Sequence, residues 1–330
     1  MSSDDRRSTV SADGNPFLQQ RELLAGTAIV PLPHRGVITV TGPDRLSWLD
    51  SLTSQSLTQL EPGQSAETLL LDPTGRIEHA MRVVDDGETT WLLVDEAPAL
   101  AAWLERMRFM LRVEVADRSA DFITVGTFGE LEGLVTWVDP WPHVVVGGHG
   151  YATGEPGPWP YREVLVTSLP DRPVASEAAL DALRIAAWRP RRATEVDERT
   201  IPHELDWLRS AVHLSKGCYR GQETVAKVHN LGHPPRRLVL LHLDGVLPAA
   251  GDPVVLGDAE VGRVTSAAQH YELGPIALAV VKRSVDPAAT LAVRSAEHGD
   301  IAAGQEVIVP PSAGAEANVP RLPRLGAVSR

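Results

Sequence analysis

Past Arg237 the chain reads as short strands separated by Gly, Asp and Pro turns, and this regularity constrains the fold more than any other feature. The runs are Leu238–Leu243, Val254–Leu256, Glu260–Ala267, Ile276–Val281, Leu291–Val293 and Glu306–Val309. Strands this short predict a small antiparallel barrel or sandwich over residues 237–310. Such a unit cannot account for a chain of 330 residues, more than one hydrophobic core organises, so further packed units must precede it.

The preceding part alternates helix and strand, which makes the whole chain α+β. Gly36–Thr41 has the β-branched texture of a strand, and Asp44–Leu52 carries Leu46, Leu49 and Leu52 at helical spacing. Thr68–Leu71 and Ile77–Val84 flank the turn residues Asp72-Pro73-Thr74-Gly75, which predicts a hairpin, and Thr90–Val94 reads as a third strand. Leu100, Trp103, Leu104, Met107 and Leu111 form the apolar stripe of an amphipathic helix. Strands are expected at Phe122–Thr127, His143–Val146 and Glu163–Ser168, with a Gly- and Pro-rich loop, a candidate lid, over 147–160. Ser176–Trp188 reads as a helix with Ser176 as N-cap and Pro190 ending it. Regular pattern then vanishes until Arg237. The expected organisation is a disordered tail over 1–20, lobes over 21–130 and 131–236, the β unit, and a Pro- and Ala-rich disordered tail over 311–330.

Charge and cysteine content narrow the function. The chain carries 31 basic and 43 acidic residues, a formal net charge of −12, which disfavours direct binding to nucleic acid. No run of about 18 apolar residues is present to span a membrane, and Met1–Asn15 lacks the apolar core of a secretory signal, so a cytoplasmic location is expected. The one cysteine, Cys218, excludes an internal disulfide and a zinc site of several thiolates, and could give a cluster at most one ligand, so no resident metal is expected. Two basic clusters, Arg189/Arg191/Arg192 and Arg236/Arg237, read equally as solvated loops or as sites for a small anion.

The unpatterned segment holds the chemistry. In Lys216-Gly217-Cys218-Tyr219-Arg220-Gly221-Gln222-Glu223 a glycine stands directly before the thiol and another three positions after it, which permits tight turns and close approach of a second molecule. Lys216 and Arg220 would favour the thiolate and Glu223 would oppose it, so an accessible, moderately activated thiol is expected. The competing reading is a buried cysteine acting as a small apolar filler. A nucleophile would need a base, for which His213, His229 and His233 are the candidates in sequence.

The run Lys216–Glu223, extended by Thr224-Val225-Ala226-Lys227, resembles the signature K-G-C-Y-x-G-Q-E of the YgfZ family and of its mitochondrial iron-sulfur assembly relatives, within the aminomethyltransferase superfamily. Ile201-Pro202-His203-Glu204, the hairpin Leu70–Ile77 and the run Val261-Gly262-Arg263-Val264-Thr265-Ser266 are similar to further family motifs, and the likeness spans about Leu24 to Val309. The resemblance implies two α/β lobes and a carboxy-terminal β-barrel around a channel for a tetrahydrofolate. It implies a role in assembling or repairing iron-sulfur clusters, with client or assembly proteins as partners, transfer RNA modification as an indirect consequence, and no membrane. Cys218 would be the functional thiol, with Lys216, Arg220, Gln222 and Glu223 as its loop. Glu204 would be the pterin-facing carboxylate, and Arg184, Trp188 and Tyr219 would join it on the folate side. Trp188 could equally pack a helix end.

Two departures stand out. Glycine-cleavage aminomethyltransferases carry paired aspartates after the first hairpin turn, where this chain has Glu78-His79. The superfamily's R-x-E-x-G helix is represented by Arg184-Ile185-Ala186-Ala187-Trp188, without the acidic residue or the glycine. An assembly factor is the leading expectation. A tetrahydrofolate-dependent one-carbon transferase or demethylase is the alternative enzyme, and a folate-sensing module is the third reading.

Overall fold

The computed structural model describes residues 14–317. Helix α1 (Pro16–Leu24) and strand β1 (Ile29–Pro31) lead into β2 (Gly36–Thr41), α2 (Arg45–Leu52), β3 (Ser65–Leu71), β4 (Ile77–Asp85), β5 (Thr89–Val94), α3 (Ala97–Met107) and β6 (Glu114–Asp117). Then come β7 (Ile123–Thr127), β8 (Val135–Val138), β9 (Arg162–Val166), α4 (Glu177–Ala186) and the single turn α5 (Arg192–Glu195). A 3-10 turn (Pro202–Leu205), the short α6 (Leu208–Ala211) and α7 (Gln222–Leu231) complete the α/β part. Strands β10 (Arg236–Leu243), β11 (Pro253–Leu256), β12 (Ala259–His270), β13 (Gly274–Lys282), β14 (Leu291–Ser295) and β15 (Gly299–Val307) follow.

Three sheets result. Strands in the order β3-β4-β5-β2-β6 form the first, and alternation sends successive residues to opposite faces. Ile38, Val40, Leu70 and Leu92 pack on Trp48 and Leu49 of α2 and on Leu100 and Leu104 of α3. Val37, Leu69, Leu71 and Leu93 join a core shared with the second lobe. The second sheet runs β1-β7-β9-β8, so the chain contributes Ile29–Pro31 to the second lobe before it builds the first. The carboxy-terminal strands close a barrel in the order β10-β13-β12-β11-β14-β15, with Val239, Leu241, Val264, Ala279 and Val293 inside. Closure leaves no free sheet edge there, which distinguishes it from a sandwich.

Several expectations are corrected. The stripe that included Leu111 stops at Met107, because Phe109 adopts a left-handed φ of 47° that ends the helix and leaves Leu111 in a loop. His143–Val146 is not a strand; its backbone bonds are local turns, apart from the Val145 N–H donated to the Arg209 carbonyl at 2.9 Å. The last barrel strand is Gly299–Val307 rather than Glu306–Val309. The segment without pattern contains α7, of which only Val225 is buried, so no apolar stripe announces it. Of the tails expected to be disordered, residues 1–13 and 318–330 lie outside the described residues. The first tail nevertheless includes the start of α1 at Pro16, capped by the Asn15 side chain. Residues 313–317 lie along α7, with the N–H groups of Ala315 and Glu316 donated to Val228 and His229 at 3.3 and 2.9 Å.

Four of the five arginines in the two basic clusters are held in ion pairs. Arg189 is buried between Glu67 and Asp139, and Arg191 and Arg192 pair with Asp181 and Glu96. Arg236 binds Asp197 and Glu204, while Arg237 donates to Val285 O and Gln305 Oε1. Arg237 has no carboxylate partner but is fully buried, so it is not a surface cation.

Candidate functional site: a clamped loop with an exposed thiol

Cys218 is exposed, as is Gly217 before it, whereas Tyr219 is in the core. The filler reading of the cysteine is thereby overturned. What holds a loop with so little of its own structure is the set of contacts on either side of the thiol. The Lys216 ammonium, with its side chain 3% exposed, donates to the carbonyls of Asp50, Thr53 and Gln55 at 2.5, 2.9 and 2.7 Å. These carbonyls lie at and just beyond the carboxy-terminal end of α2, where acceptors lack intrahelical partners and a cation is favoured. Burial lowers the Lys216 pKa, while Asp50, 3.2 Å away, opposes that shift. Gln222 Nε2 donates back to Lys216 O at 3.2 Å and tightens the turn.

The other side is clamped to the first hairpin. Arg220 donates to both oxygens of Glu78, at 2.6 and 3.3 Å, and lies 5.9 Å from the Trp103 ring. Gly221 has a φ of 85°, and a Cβ there would stand 2.7 Å from the Asp72 carbonyl, so only glycine allows this approach. The hairpin turn in question is closed by Asp72, whose carboxylate accepts the N–H groups of Thr74 and Arg76. Glu223 is exposed in the first turn of α7.

The cations that flank the thiol in sequence are therefore spent on anchoring. Nor do the candidate histidines attend it. His213 lies against Gly147, His229 packs on His149 with ring centroids 4.9 Å apart, and His233 Nδ1 contacts Ala313 O at 2.8 Å. Among the described residues no three His, Cys, Asp or Glu side chains gather so as to hold a metal ion. The thiol has no hydrogen-bonded base among the described residues, and the site presents a sulfur on a fixed mount.

A cleft of about 890 Å³ adjoins the mount, lined by Glu78, His79, Trp103, Arg106, Arg192 and Asp197 among others. Glu78 belongs both to this cleft and to the Arg220 clamp. Burial, followed by the charge of Arg192, lowers the His79 pKa, so its imidazole is neutral at pH 7 and able to accept a proton.

The residues expected on the folate side are placed as follows. Glu204 has no exposed surface, and its two oxygens accept from Arg236 at 3.1 and 2.8 Å, so it is an internal ion-pair partner rather than a ligand-facing carboxylate. Burial raises its pKa and the Arg236 guanidinium opposes this. Arg184 donates to Glu195 Oε2, Asp181 Oδ1, Ser266 Oγ and Arg189 O. Thr265 and Ser266, neighbours in sequence, both donate to Glu195 Oε1 at 3.0 and 2.6 Å. A register shift between Val264 and Ser266 interrupts the two-residue alternation there, which lets them reach one carboxylate. The Gly262–Ser266 motif is thus the barrel's clasp on lobe two. Trp188 is 1% exposed with a φ of 58°, and Tyr219 is buried with its hydroxyl unpartnered in this structure. Arg184 and Trp188 line two different cavities.

His203 in the 3-10 turn and Asp206 directly after it are buried titratable groups with opposed effects. His203 donates from Nε2 to Val225 O at 3.1 Å, fastening α7, and burial lowers its pKa to about 3. Burial raises Asp206 to about 6. A histidine with a lowered folded pKa contributes stability that is lost as pH falls from 6.5 toward 3. An acid with a raised pKa adds stability as pH falls from 6 toward 4. The two partly cancel between pH 7 and 5. Asp206→Asn removes this acid's share of the offset, so the loss on going from pH 7 to 5 is expected to steepen toward about 2 kcal/mol, read from urea midpoints. Equal slopes for variant and wild type would show that Asp206 does not titrate in that window.

Comparison with known proteins agrees with this architecture. Residues 236–313 match the family model described as the glycine cleavage T-protein C-terminal barrel domain. The aminomethyltransferase of Rippkaea orientalis is 30% identical over 309 residues, covering 78% of this chain and 79% of that protein. A mitochondrial iron-sulfur cluster assembly factor IBA57 homolog of Mycosarcoma maydis is 24% identical over 67% of this chain and 59% of its own length. The crystal structure of the glycine cleavage system aminomethyltransferase T of Bartonella henselae superposes with a TM-score of 0.69 at 19% identity, covering 90% of this chain and 89% of that one. The chain belongs to the aminomethyltransferase family. Among its described residues no helix is long and apolar enough to cross a membrane.

Proposed function

We propose that this member of the family is an iron-sulfur cluster assembly or repair factor of the YgfZ type, which offers Cys218 to a client protein or to a cluster in transit. The observation that carries this reading is the mount. Lys216 and Arg220 fix the loop at both ends and leave only Gly217 and Cys218 open to a partner. A sulfur held in this way can act as a single, transient ligand to iron, and it has no need of the base that a covalent nucleophile requires. The name of the Mycosarcoma maydis relative supports the assembly role. The engagement of Glu78 by Arg220 supports it too, since a carboxylate bound through both oxygens is poorly placed to take a proton.

The second reading is a tetrahydrofolate-dependent one-carbon transferase. The greater identity to a named aminomethyltransferase favours it, as does a cleft that offers neutral His79 beside Glu78. Cys218→Ser separates the two. In cells whose own copy is deleted, the variant is expected to leave cluster-dependent enzyme activities as low as the deletion does, with an unchanged melting temperature. Full restoration by the variant would remove the thiol from the mechanism and leave the one-carbon reading in possession of the cleft.

A further inference from the structure

The R-x-E-x-G helix, through which the family resemblance implies a bound folate, ends here in Ala186-Ala187-Trp188. Residue 188 keeps the left-handed backbone that a glycine adopts freely, at a φ of 58°, but carries an indole. That indole is turned inward and is 1% exposed. Its ring abuts Gly154 so closely that a Cβ on the glycine would stand 2.6 Å from Trp188 Cη2. The loop over 154–158 then closes on the helix end, with the Gly157 N–H donated to Ala186 O at 3.0 Å. Ala187 O is taken by Trp141 Nε1, also at 3.0 Å. The space that remains beside Ala186 and Trp188 is 270 Å³, walled by Pro156, Pro158, Leu240 and Tyr271 among others. Ligand pockets for molecules of folate's size usually start near about 300 Å³.

Buried recognition chemistry is missing as well as room: the carboxylates that line this space, Glu155, Glu272 and Glu306, are exposed or half-buried, and Glu306 pairs with His242. A pterin ring edge offers paired N–H donors and calls for a carboxylate with both oxygens free. The buried carboxylates of the central region are all committed within the chain. Glu67 and Asp139 hold Arg189, Glu163 holds Arg35 and Arg82, Glu195 holds Arg184, Glu204 holds Arg236, and Asp206 holds Arg209. Freeing any of them would strand a buried guanidinium.

We infer that Trp188 fills the pterin position of the family with the chain's own indole, and that this protein works without a bound folate. The residues present do not fit the cofactor. The thiol site is untouched by this, because the loop is anchored to α2 and the first hairpin rather than to the end of α4.

The test is a calorimetric titration of the full chain with tetrahydrofolate under reducing conditions, repeated with Trp188→Gly and with Ala186→Glu/Trp188→Gly. The wild type is expected to give no saturable heat up to about 1 mM ligand. Saturable binding by the wild type overturns the inference, whatever the variants do. The folded double variant is expected to bind at least tenfold more tightly than the wild type. A double variant with native circular dichroism and no gain shows that the indole is not what excludes the ligand, and that also overturns it. If the variants do not fold, the wild-type titration still decides.

Discussion

Arg189→Met is expected to destabilise the protein by about 3–5 kcal/mol, the largest loss among single substitutions considered for this chain. Arg189 is 3% exposed and donates from Nη2 to Glu67 at 2.6 Å and from Nε to Asp139 at 2.9 Å. Its guanidinium stands 5.1 Å from the Trp141 ring and 5.7 Å from the Trp207 ring. Glu67 comes from β3 of the first sheet and Asp139 from the segment after β8 of the second, so one cation joins two lobes. Methionine fills much of the volume but leaves two carboxylates buried without a counter-charge. The penalty lies in those orphaned anions rather than in the value of the pair itself. The measurement is a urea transition followed by circular dichroism and by tryptophan fluorescence, compared at equal slope. Glu67→Gln/Asp139→Asn/Arg189→Met should recover part of the loss, because it removes the stranded charges. A single variant within 1 kcal/mol of wild type would mean that water reaches these carboxylates.

That network shows where reading the sequence stops. The barrel is legible because each strand is bounded by its own turn residues, and five of the six expected strands fall where they are observed. Closure is not legible, since it depends on β10 pairing with both β13 and β15. The thiol loop is legible as a motif, and its glycines announce the tight approach that Gly221 makes to Asp72. Its anchors are not. Lys216 and Arg220 look like activators of the neighbouring sulfur, but their partners, Asp50 and Glu78, are 166 and 142 residues away in sequence. Arg189 looks like part of a basic surface patch for the same reason, because Glu67 is 122 residues distant. Charge is visible in sequence, whereas the direction in which a charged side chain points is set by tertiary contact. Helix α7 escapes because it buries one residue of ten and is steadied instead by His203 and by the segment over 313–317.

Lys216→Met should reproduce much of the functional loss of Cys218→Ser while leaving the sulfur in place. The substitution keeps the length of the buried stem and removes the ammonium that binds three carbonyls at 2.5–2.9 Å. Charge-assisted hydrogen bonds contribute roughly 1.5–3 kcal/mol each when the alternative is an unmade bond. The carbonyls can recover water only if the loop lifts, so the chain relieves the loss by releasing residues 214–218. Gln222 loses its seat against Lys216 O in the same motion, whereas the Arg220 clamp to Glu78 stays closed. The prediction therefore separates local from global effects. Amide exchange over 214–222 should accelerate at least tenfold and alkylation of Cys218 should quicken, while the cooperative unfolding midpoint moves much less than in Arg189→Met. Support of cluster-dependent enzymes should fall, because a mobile thiol loses the fixed geometry that presents it to a partner. If exchange quickens and cellular activity is unchanged, the sulfur works without its mount, and the two open residues of the loop suffice by themselves.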